Sequence, residues 1–392
     1  MLIKRDLAPR LAVAARKWPA VTLTGPRQSG KTTLCASVFG DRPQVSLEAP
    51  DVRAFAAEDA RDFLAQFPDG AVIDEVQRVP ELLSYLQGII DADPVPGRWI
   101  LTGSHNLALA QSVSQSLAGR TAVLRLLPLS RSEAIRFPAH PQRLDETLIA
   151  GGYPAIFDRE LEPAEWLAEY VATYIERDVR TVSNVGDLEA FQRFVQLCAG
   201  RTSQLLNYSA LAADCGVSQP TAKAWLSILE ASFVVFRLPA FQPNLRKRLV
   251  RMAKLHFVDT GLACWLLGIR EPDQLRFHPL RGALFETWVV SEVTKQRANQ
   301  GLVGGTYHYR DRSGTEVDLV LESSRGISLV EAKASTTAST RMLSGPTRVR
   351  SHLASAHPQA EVVVIYGGDD TQRRNDGSLI PWHGLHRTEL GP

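Results

Sequence analysis

The sequence predicts an α/β protein that opens with a P-loop NTPase domain on a parallel sheet and continues into a helical and winged-helix middle and a second α/β domain. Two observations predict the first domain. The segment Gly25–Thr32 reads G-x-x-x-x-G-K-T, and from Ala20 to about Pro138 short β-branched runs alternate with amphipathic stretches. At 392 residues the chain is too long for one ordinary domain. We therefore expect domains over residues 1–140, 141–278 and 279–392.

Composition narrows the class of protein. Hydrophobic residues make up 44% and charged residues 22% of the chain, which is the usage of a soluble globular protein with ample apolar material for its cores. The net charge of +2 is too small to indicate a nucleic-acid partner, so that argument needs a local cluster. The four cysteines lack C-x-x-C spacing, and the chain has neither a signal peptide nor an apolar run of about 18 residues. We expect a cytoplasmic protein outside the membrane.

Each expected strand of the first domain is followed by a helix or a turn. The expected strands are Ala20–Thr24, Gln44–Leu47, Ala71–Ile73, Arg98–Thr102 and Ala122–Leu127. The expected helices lie near Lys31–Phe39, Asp51–Phe67, Pro80–Asp91 and Leu107–Ala118. The last domain is expected to hold a helix over Leu284–Lys295 and strands near Thr306–Tyr309, Glu316–Leu321, Ser328–Ala332 and Glu361–Tyr366.

The P-loop motif predicts an ATP site with Mg²⁺. It comes directly after an expected strand and opens an expected helix, which is the context the motif requires. Backbone amides and the positive end of the helix dipole would bind phosphate, Lys31 would meet the β- and γ-phosphates, and the Thr32 hydroxyl would bind Mg²⁺. The residues expected to contact nucleotide here are Gly25, Pro26, Arg27, Gln28, Ser29, Gly30, Lys31, Thr32 and Thr33.

Two acids end the strand Ala71–Ile73. Asp74 is expected to hold the Mg²⁺ shell, and Glu75 is expected to polarise the attacking water as a general base. The alternative is that Glu75 is an exposed acid at a strand end. No N-K-x-D element is present, which favours ATP over GTP.

Three further residues are candidates for the same site. Thr102 or Ser104 would lie near the γ-phosphate if their strand runs between the P-loop strand and the Asp74 strand; the alternative is an ordinary turn. Arg120 could stabilise transition-state charge within its own chain or across the interface of a homo-oligomer. It could equally be a solvated arginine at a helix end.

Taken together, these motifs resemble a prokaryotic AAA+ ATPase family whose ATPase domain is joined to a C-terminal region long labelled as of unknown function. The resemblance rests on GPRQSGKTT, IDEVQ, LTGS, LAGRT with LRLLPLSRSEA, GGYP, YIERDV, FVDTGLA, GALFETWVVSE and EVDLVLE. It covers nearly the whole chain. It implies an AAA-type core, a winged-helix middle and a restriction-endonuclease-like end.

The middle of the chain predicts a DNA-binding winged helix. A helix over Tyr208–Asp214, a break at Cys215–Val217 and a helix opening at the N-cap Ser218 read as a helix-turn-helix. The second helix would present Gln219, Lys223 and Ser227 to a major groove. A basic run after it would contact phosphates through Arg246, Lys247, Arg248, Arg251 and Lys254. The alternatives are a module that only packs between domains and a basic hairpin that is merely solvated.

The last domain carries residues in the order found in restriction-endonuclease-like sites. Asp318 lies on one expected strand, Glu331 and Lys333 lie two apart on the next, and Glu286 lies on the preceding helix. Asp318 and Glu331 would hold Mg²⁺ and Lys333 would stabilise charge on phosphate. The alternative is a salt-bridged remnant in a domain that binds DNA without cleaving it.

These motifs predict an ATP-binding and ATP-hydrolysing, DNA-associated protein in which nucleotide state controls the winged-helix and nuclease-like regions. The runner-up is a non-cleaving ATP-dependent regulator that acts on DNA or on a partner protein. A third possibility is an assembly factor with no nucleic-acid ligand, for which weak and salt-insensitive DNA binding would be the signature.

Overall fold

The computed structural model describes residues 2–104, 116–173, 187–242, 252–324, 326–388 and 390. The chain divides into two compact units. The N-terminal unit comprises Met1–Leu129, Ala231–Phe233 and Arg297–Leu302, and the C-terminal unit comprises Ser130–Glu230, Val234–Gln296 and Val303–Pro392. The expected helix over Leu107–Ala118 lies mostly outside the described residues.

The N-terminal unit is built on a five-stranded sheet in the order β2-β3-β4-β1-β5, and every neighbouring pair is parallel. The strands are β1 Ala20–Thr24, β2 Gln44–Ser46, β3 Ala71–Asp74, β4 Trp99–Gly103 and β5 Thr121–Arg125. The predicted parallel sheet is confirmed, and β4 does lie between the P-loop strand β1 and the Asp74 strand β3. The carboxyl ends of β1, β3 and β4 therefore meet at one edge.

Helices cover this sheet. They are α1 Ala8–Ala15, α2 Lys31–Val38, α3 Pro50–Glu58, α4 Ala60–Ala65 and α5 Leu82–Ala92. All five residues of β1 are buried, as expected for a central parallel strand with apolar layers on both faces. The single helix expected over Asp51–Phe67 is wrong, because Asp59 leaves helical geometry and accepts a hydrogen bond from the backbone N–H of Asp62, at 3.0 Å. Asp59 thus ends α3 and caps α4.

The C-terminal unit begins with short helices, α6 Arg131–Ala134, α7 Leu144–Ala150, α8 Pro154–Asp158 and α9 Pro163–Tyr170. The GGYP and FVDTGLA segments meet there. Asp259 accepts hydrogen bonds from the backbone N–H groups of Gly152, at 2.7 Å, and Leu262, at 3.0 Å. An added Cβ on Gly151 would lie 2.2 Å from Asp259 Oδ1. The glycine turn of GGYP therefore packs closely against the Asp259 carboxylate of FVDTGLA.

A helix-turn-helix and a hairpin follow. The elements are α10 Leu188–Gly200, α11 Tyr208–Cys215, α12 Gln219–Ala231, β6 Val235–Leu238 and β7 Lys254–Phe257. Ser218 Oγ accepts a hydrogen bond of 3.2 Å from the Thr221 N–H, which confirms Ser218 as the N-cap of α12. Strands β6 and β7 pair antiparallel, and all four residues of β7 are buried.

A six-stranded mixed sheet ends the chain, in the order β12-β13-β11-β10-β9-β8. Its strands are β8 Thr306–Arg310, β9 Glu316–Ser323, β10 Gly326–Lys333, β11 Glu361–Tyr366, β12 Gln372–Arg374 and β13 Gly377–Pro381. Helices of this region are α13 Thr260–Leu266, α14 Pro272–Arg276, α15 Arg281–Asn299 and α16 Arg341–Leu353. Antiparallel pairing of β9 with β10 and parallel pairing of β10 with β11 bury β10 in the middle of the sheet.

Candidate functional site

The P-loop joins β1 to α2 through a chain path that requires glycine. An added Cβ on Gly25 would lie 2.0 Å from Leu126 O, just beyond β5, so no other residue fits there. Gln28 (φ 61°) and Gly30 (φ 89°) take left-handed conformations that lead the chain into α2. Among the described residues, no side chain caps the N-terminus of α2. Its first-turn amides are thus available to an anion, and the loop fits a phosphate chain.

The other loop residues divide into supporting and exposed positions. Ser29 is fully buried, and its hydroxyl donates to Pro26 O at 2.9 Å, which braces the loop from within. Thr32 and Thr33 are exposed on the first turn of α2. Arg27 lies 3.9 Å from Glu48, so its charge is partly compensated.

Lys31 lies over the loop with its side chain almost fully buried. Its Nζ donates hydrogen bonds to Gly25 O, at 3.0 Å, and to Pro26 O, at 2.9 Å. Burial lowers the pKa of Lys31, although the carboxylates of Glu75 and Asp74 oppose this shift. The ammonium group is therefore held at the mouth of the loop, beside the two acids predicted to act with it.

Asp74 ends β3 facing the first turn of α2. Its Oδ2 accepts a hydrogen bond of 3.0 Å from Thr32 Oγ1, and its Oδ1 accepts one from Thr102 Oγ1. Thr102 is fully buried at the end of β4. A threonine hydroxyl beside a carboxylate is the hard oxygen pair that Mg²⁺ prefers, so these residues fit the ion expected here.

Glu75 follows in a left-handed conformation (φ 56°), which is uncommon outside glycine. Its backbone N–H donates to Thr102 Oγ1 at 3.3 Å, and its Oε2 accepts from Ser104 Oγ at 3.0 Å. Gln77 Nε2 also donates to Glu75 Oε2. The side chain is buried, so the alternative of an exposed strand-end acid does not describe it. Thr102 and Ser104 both act on the acidic pair from the next strand.

Arg5 is a site residue that the sequence did not single out. Its guanidinium donates to Ser29 O, at 2.6 Å, and to Leu127 O, at 2.8 Å, so it ties the P-loop to the segment after β5. Arg5 is only 8% exposed. An arginine ahead of the first helix belongs to no motif, and nothing in its sequence context marks it.

Arg120 lies at the amino-terminal ends of the strands, opposite the carboxyl ends where the P-loop lies. It immediately precedes β5, whose first residue pairs in parallel with Ala20 at the start of β1. The five residues of β1 span roughly 16 Å at about 3.3 Å per residue, which is too far for a side chain to reach its own phosphate site. Arg120 instead forms an ion pair with Asp91. The expectation that Arg120 stabilises transition-state charge within its own chain is therefore wrong.

In the C-terminal unit, the predicted nuclease-like residues lie close together, with Asp318 and Glu331 buried and Lys333 partly exposed. We call Glu286, Glu316, Asp318 and Glu331 the carboxylate cluster. Asp318 Oδ2 accepts from the backbone N–H of Ala332 at 2.9 Å, and Glu331 Oε1 lies 2.6 Å from Lys333 Nζ. Glu316, two residues before Asp318 on β9, was not singled out from the sequence. Within the described part of the chain, no group of three His, Cys, Asp or Glu side chains is arranged to hold a metal ion.

Lys254 lies inside this cluster, which corrects the expectation that it faces DNA from a basic hairpin. Its Nζ is 2.8 Å from Glu286 Oε1, 3.3 Å from Glu316 Oε1 and 3.5 Å from Asp318 Oδ1. Lys254 is 3% exposed. Lys254 is therefore removed from the set of basic residues expected to contact phosphates, because β7 begins at Lys254 and is buried.

Burial dominates the electrostatics of the cluster. It raises the pKa of Glu286 to about 8 and that of Glu331 to about 7, with repulsion from Asp318 adding to both shifts. Burial also opposes the charge of Lys254, but Glu286 and Asp318 outweigh it and raise the pKa of this lysine. Lys254 is thus a cation over the whole physiological range.

The exposed face of α12 carries the predicted DNA-contact residues Gln219, Lys223 and Ser227, while Ala222, Leu226 and Leu229 are buried. Lys223 Nζ lies 5.5 Å from the centre of the Tyr208 ring. The other predicted DNA contacts, Arg246, Lys247, Arg248 and Arg251, lie outside the described residues.

Comparison with protein families matches three parts of the chain. An AAA domain matches residues 17–135, a domain of unknown function (DUF8612) matches 141–273, and another (DUF4143) matches 281–385. Uncharacterized protein Rv2008c of Mycobacterium tuberculosis and Uncharacterized protein Mb2031c of Mycobacterium bovis are each 33% identical over 328 residues, 83% of this chain and 72% of theirs. This chain belongs to their family. In this chain the match to the AAA domain precedes the matches to the other two regions.

Three solved structures resemble parts of this family member. The Walker-type ATPase PABY2304 of Pyrococcus abyssi is 16% identical, with a TM-score of 0.41 over 68% of this chain and 96% of that one. A RuvB variant of Thermotoga maritima is 20% identical, with a TM-score of 0.29 over 60% and 89%. AMPPCP-bound DnaA of Aquifex aeolicus is 13% identical, with a TM-score of 0.29 over 57% and 86%.

The AAA domain match and the P-loop geometry agree, and together they make this family member a nucleotide-binding protein. Across the described ranges, no helix combines the length and the apolar character that a membrane span needs.

Proposed function

We propose that this protein is a magnesium-dependent ATPase whose nucleotide state controls how its C-terminal unit associates with DNA. One observation carries the ATPase part. The Thr32 hydroxyl bonds to Asp74 at 3.0 Å, and Glu75 is fixed beside this pair by Ser104. A structural role for Asp74 and Glu75 alone would not require both acids to converge on a P-loop.

Binding falls to the loop and the first turn of α2. The uncapped amides of α2 and the Lys31 ammonium offer donors to the β- and γ-phosphates, and Thr32 with Asp74 would hold Mg²⁺. Bound Mg²⁺ would neutralise charge on the phosphoryl oxygens. Lys31 exchanges its present bonds to Gly25 O and Pro26 O for phosphate oxygens at little cost, because it keeps hydrogen-bond acceptors either way.

Hydrolysis falls to Glu75. Its carboxylate already accepts hydrogen bonds from Ser104 and Gln77, which set its orientation, and its left-handed backbone directs it away from the end of β3. A carboxylate so placed can accept a proton from the attacking water. Ser104 and Thr102 act as positioning residues, since they touch the acids.

The test separates binding from hydrolysis. In steady-state assays with ATP and Mg²⁺, Glu75→Gln is expected to bind ATP normally and to lose about 10²-fold or more in turnover, because a general base contributes that much. Lys31→Ala is expected to lose binding. Glu81→Gln, an exposed glutamate of the same unit, is the matched control and should hydrolyse ATP at the wild-type rate. Full turnover by Glu75→Gln would remove Glu75 from its proposed role.

The DNA part rests on the exposed face of α12, where Gln219, Lys223 and Ser227 lie outward from a helix-turn-helix. This is the face that enters a major groove in proteins of that motif. The alternative of an ATP-dependent assembly factor without a nucleic-acid ligand predicts weak DNA binding that does not respond to salt. Titration of labelled duplex DNA at several salt concentrations distinguishes the two.

A further inference from the structure

We propose that the ammonium group of Lys254 is a built-in counter-ion that takes the place of a divalent cation beside Asp318, one of the two carboxylates expected to hold Mg²⁺. The carboxylate cluster consequently neither binds Mg²⁺ nor cleaves DNA in the wild-type protein. This goes beyond the proposed function, because it stands whether or not ATP is hydrolysed and whether or not α12 contacts DNA.

The geometry around Lys254 Nζ suits an ammonium group. Three carboxylates from α15 and β9 point at one atom, at 2.8, 3.3 and 3.5 Å. An ammonium group has three N–H donors and can satisfy three acceptors at once. A divalent cation would need oxygen ligands from the same groups at about 2.0 to 2.6 Å, and Nζ lies in the space that such an ion would take.

Backbone pairing holds Lys254 firmly in place. It is the first residue of β7, it pairs with Leu238 in β6, and it forms a bridge with Leu205 on its other side. Its neighbour Ala253 accepts a hydrogen bond from the Leu206 N–H at 2.8 Å. With backbone partners on both sides and a buried side chain, this lysine is part of the core and not a surface group that strays into the site.

In the part of the chain that the structure describes, three cations lie beside the acids of the carboxylate cluster. Four carboxylates face Lys254 and Lys333, and Arg310 lies 3.6 Å from Glu316. Burying acids is costly unless cations compensate them. Glu331 Oε2 is buried and, among the described residues, accepts no hydrogen bond. Removing Lys254 would leave Glu286, Glu316 and Asp318 without the cation that they share, and carboxylate oxygens are the ligands that hard divalent cations prefer.

The test measures Mn²⁺ binding to the full chain without nucleotide, by the electron paramagnetic resonance signal of free Mn²⁺. Lys254→Met keeps an unbranched apolar side chain of similar shape and removes the ammonium group, and we expect it to bind one Mn²⁺ at least about tenfold more tightly than wild type. Adding Asp318→Asn should remove that ion. The matched control is Lys295→Met, which deletes another buried lysine, paired with Glu292 at 3.0 Å, outside the cluster. It should bind no additional Mn²⁺.

Three results would overturn the proposal. One is a folded Lys254→Met protein, judged by cooperative thermal unfolding, that binds Mn²⁺ no more tightly than wild type. Another needs no Lys254 variant: if wild type binds a Mn²⁺ that Asp318→Asn or Glu286→Gln removes, the cluster already holds a metal. Unchanged Mn²⁺ affinity in both of those variants supports the proposal even if Lys254→Met does not fold. Mg²⁺-dependent nicking of supercoiled plasmid by wild type that Asp318→Asn abolishes would also overturn it.

Discussion

Ser104 Oγ donates a hydrogen bond of 3.0 Å to Glu75 Oε2, and the two residues follow the ends of neighbouring parallel strands. Ser104 is completely buried, so its hydroxyl has a fixed direction. The bond therefore fixes the carboxylate proposed as the general base relative to the sheet. Because the two strands are adjacent in register, the contact depends on the strand order and not on any local motif.

Loss of the Ser104 hydroxyl should slow hydrolysis without weakening nucleotide binding. We expect Ser104→Ala to lower turnover about tenfold, since a mispositioned catalytic group loses part of its contribution. The Kd for ATP should stay at the wild-type value. Ser84→Ala, an exposed serine on α5, serves as the control. Equal losses in turnover and in affinity would show that Ser104 supports the fold and not the base.

Thr102 should set the Mg²⁺ requirement, because its hydroxyl bonds to Asp74 and receives the N–H of Glu75. Thr102→Val keeps the shape and removes the hydroxyl, so we expect the Mg²⁺ concentration for half-maximal hydrolysis to rise about tenfold, the effect of losing a partner that orients a metal ligand. Thr102→Ser should restore the wild-type value. A Val variant with unchanged Mg²⁺ dependence contradicts the assignment.

Arg120 should be dispensable for nucleotide binding by a single chain. It lies beyond the far end of β1 and pairs with Asp91. We expect Arg120→Ala and Asp91→Asn to bind ATP as wild type does in equilibrium titrations at low protein concentration. If Arg120→Ala alone loses turnover at concentrations where chains associate, the arginine acts across an interface. A weaker ATP affinity in dilute Arg120→Ala would refute the placement.

Lys223 should contribute one phosphate contact to DNA binding. Replacement by alanine is expected to weaken duplex binding and to reduce the slope of log K against log salt by about 1. Lys17→Ala removes an exposed lysine of the N-terminal unit and should leave the slope unchanged. Identical slopes for wild type and Lys223→Ala would show that α12 does not face the phosphate backbone.

The stability of the protein should depend on pH through Glu331. Burial raises the pKa of Glu331 to about 7 in the folded protein, from 4.5. A raised pKa means that its contribution to stability is complete below pH 4.5 and is lost as the pH rises through 7. Glu331→Gln cannot lose that proton, so its free energy of unfolding relative to wild type should rise over this range by on the order of 3 kcal/mol. Glu361→Gln, an exposed control, should show no such trend, and a flat difference for Glu331→Gln would exclude the shift.

The N-terminal sheet was predictable because its information is local. A buried β-branched run, a P-loop and an acidic pair each specify their own strand end. The sequence left the position of β4 between β1 and β3 open, and the strand order of the structure supplies it. Asp59 was missed as a helix boundary because the apolar spacing continues through it. Strands β12 and β13 were missed, since three and five residues are too few to give a clear periodicity.

The nucleotide site and the carboxylate cluster also differ in how far local sequence specifies them. Lys31, Thr32, Asp74 and Glu75 could be assigned because each lies in a motif with its own backbone geometry. Lys254 could not, because its place depends on pairing between β6 and β7 and on packing against a strand more than sixty residues away in the chain. A lysine at the end of a basic run resembles a surface residue until the hairpin is formed.

The bonds from Arg5 to Ser29 O and Leu127 O make a residue outside every motif a structural member of the nucleotide site. Its guanidinium anchors the P-loop to the segment after β5. Replacing Arg5 would therefore disturb the loop without touching a motif residue, and a loss of nucleotide affinity in such a variant would report a lost anchor and not a defect in chemistry.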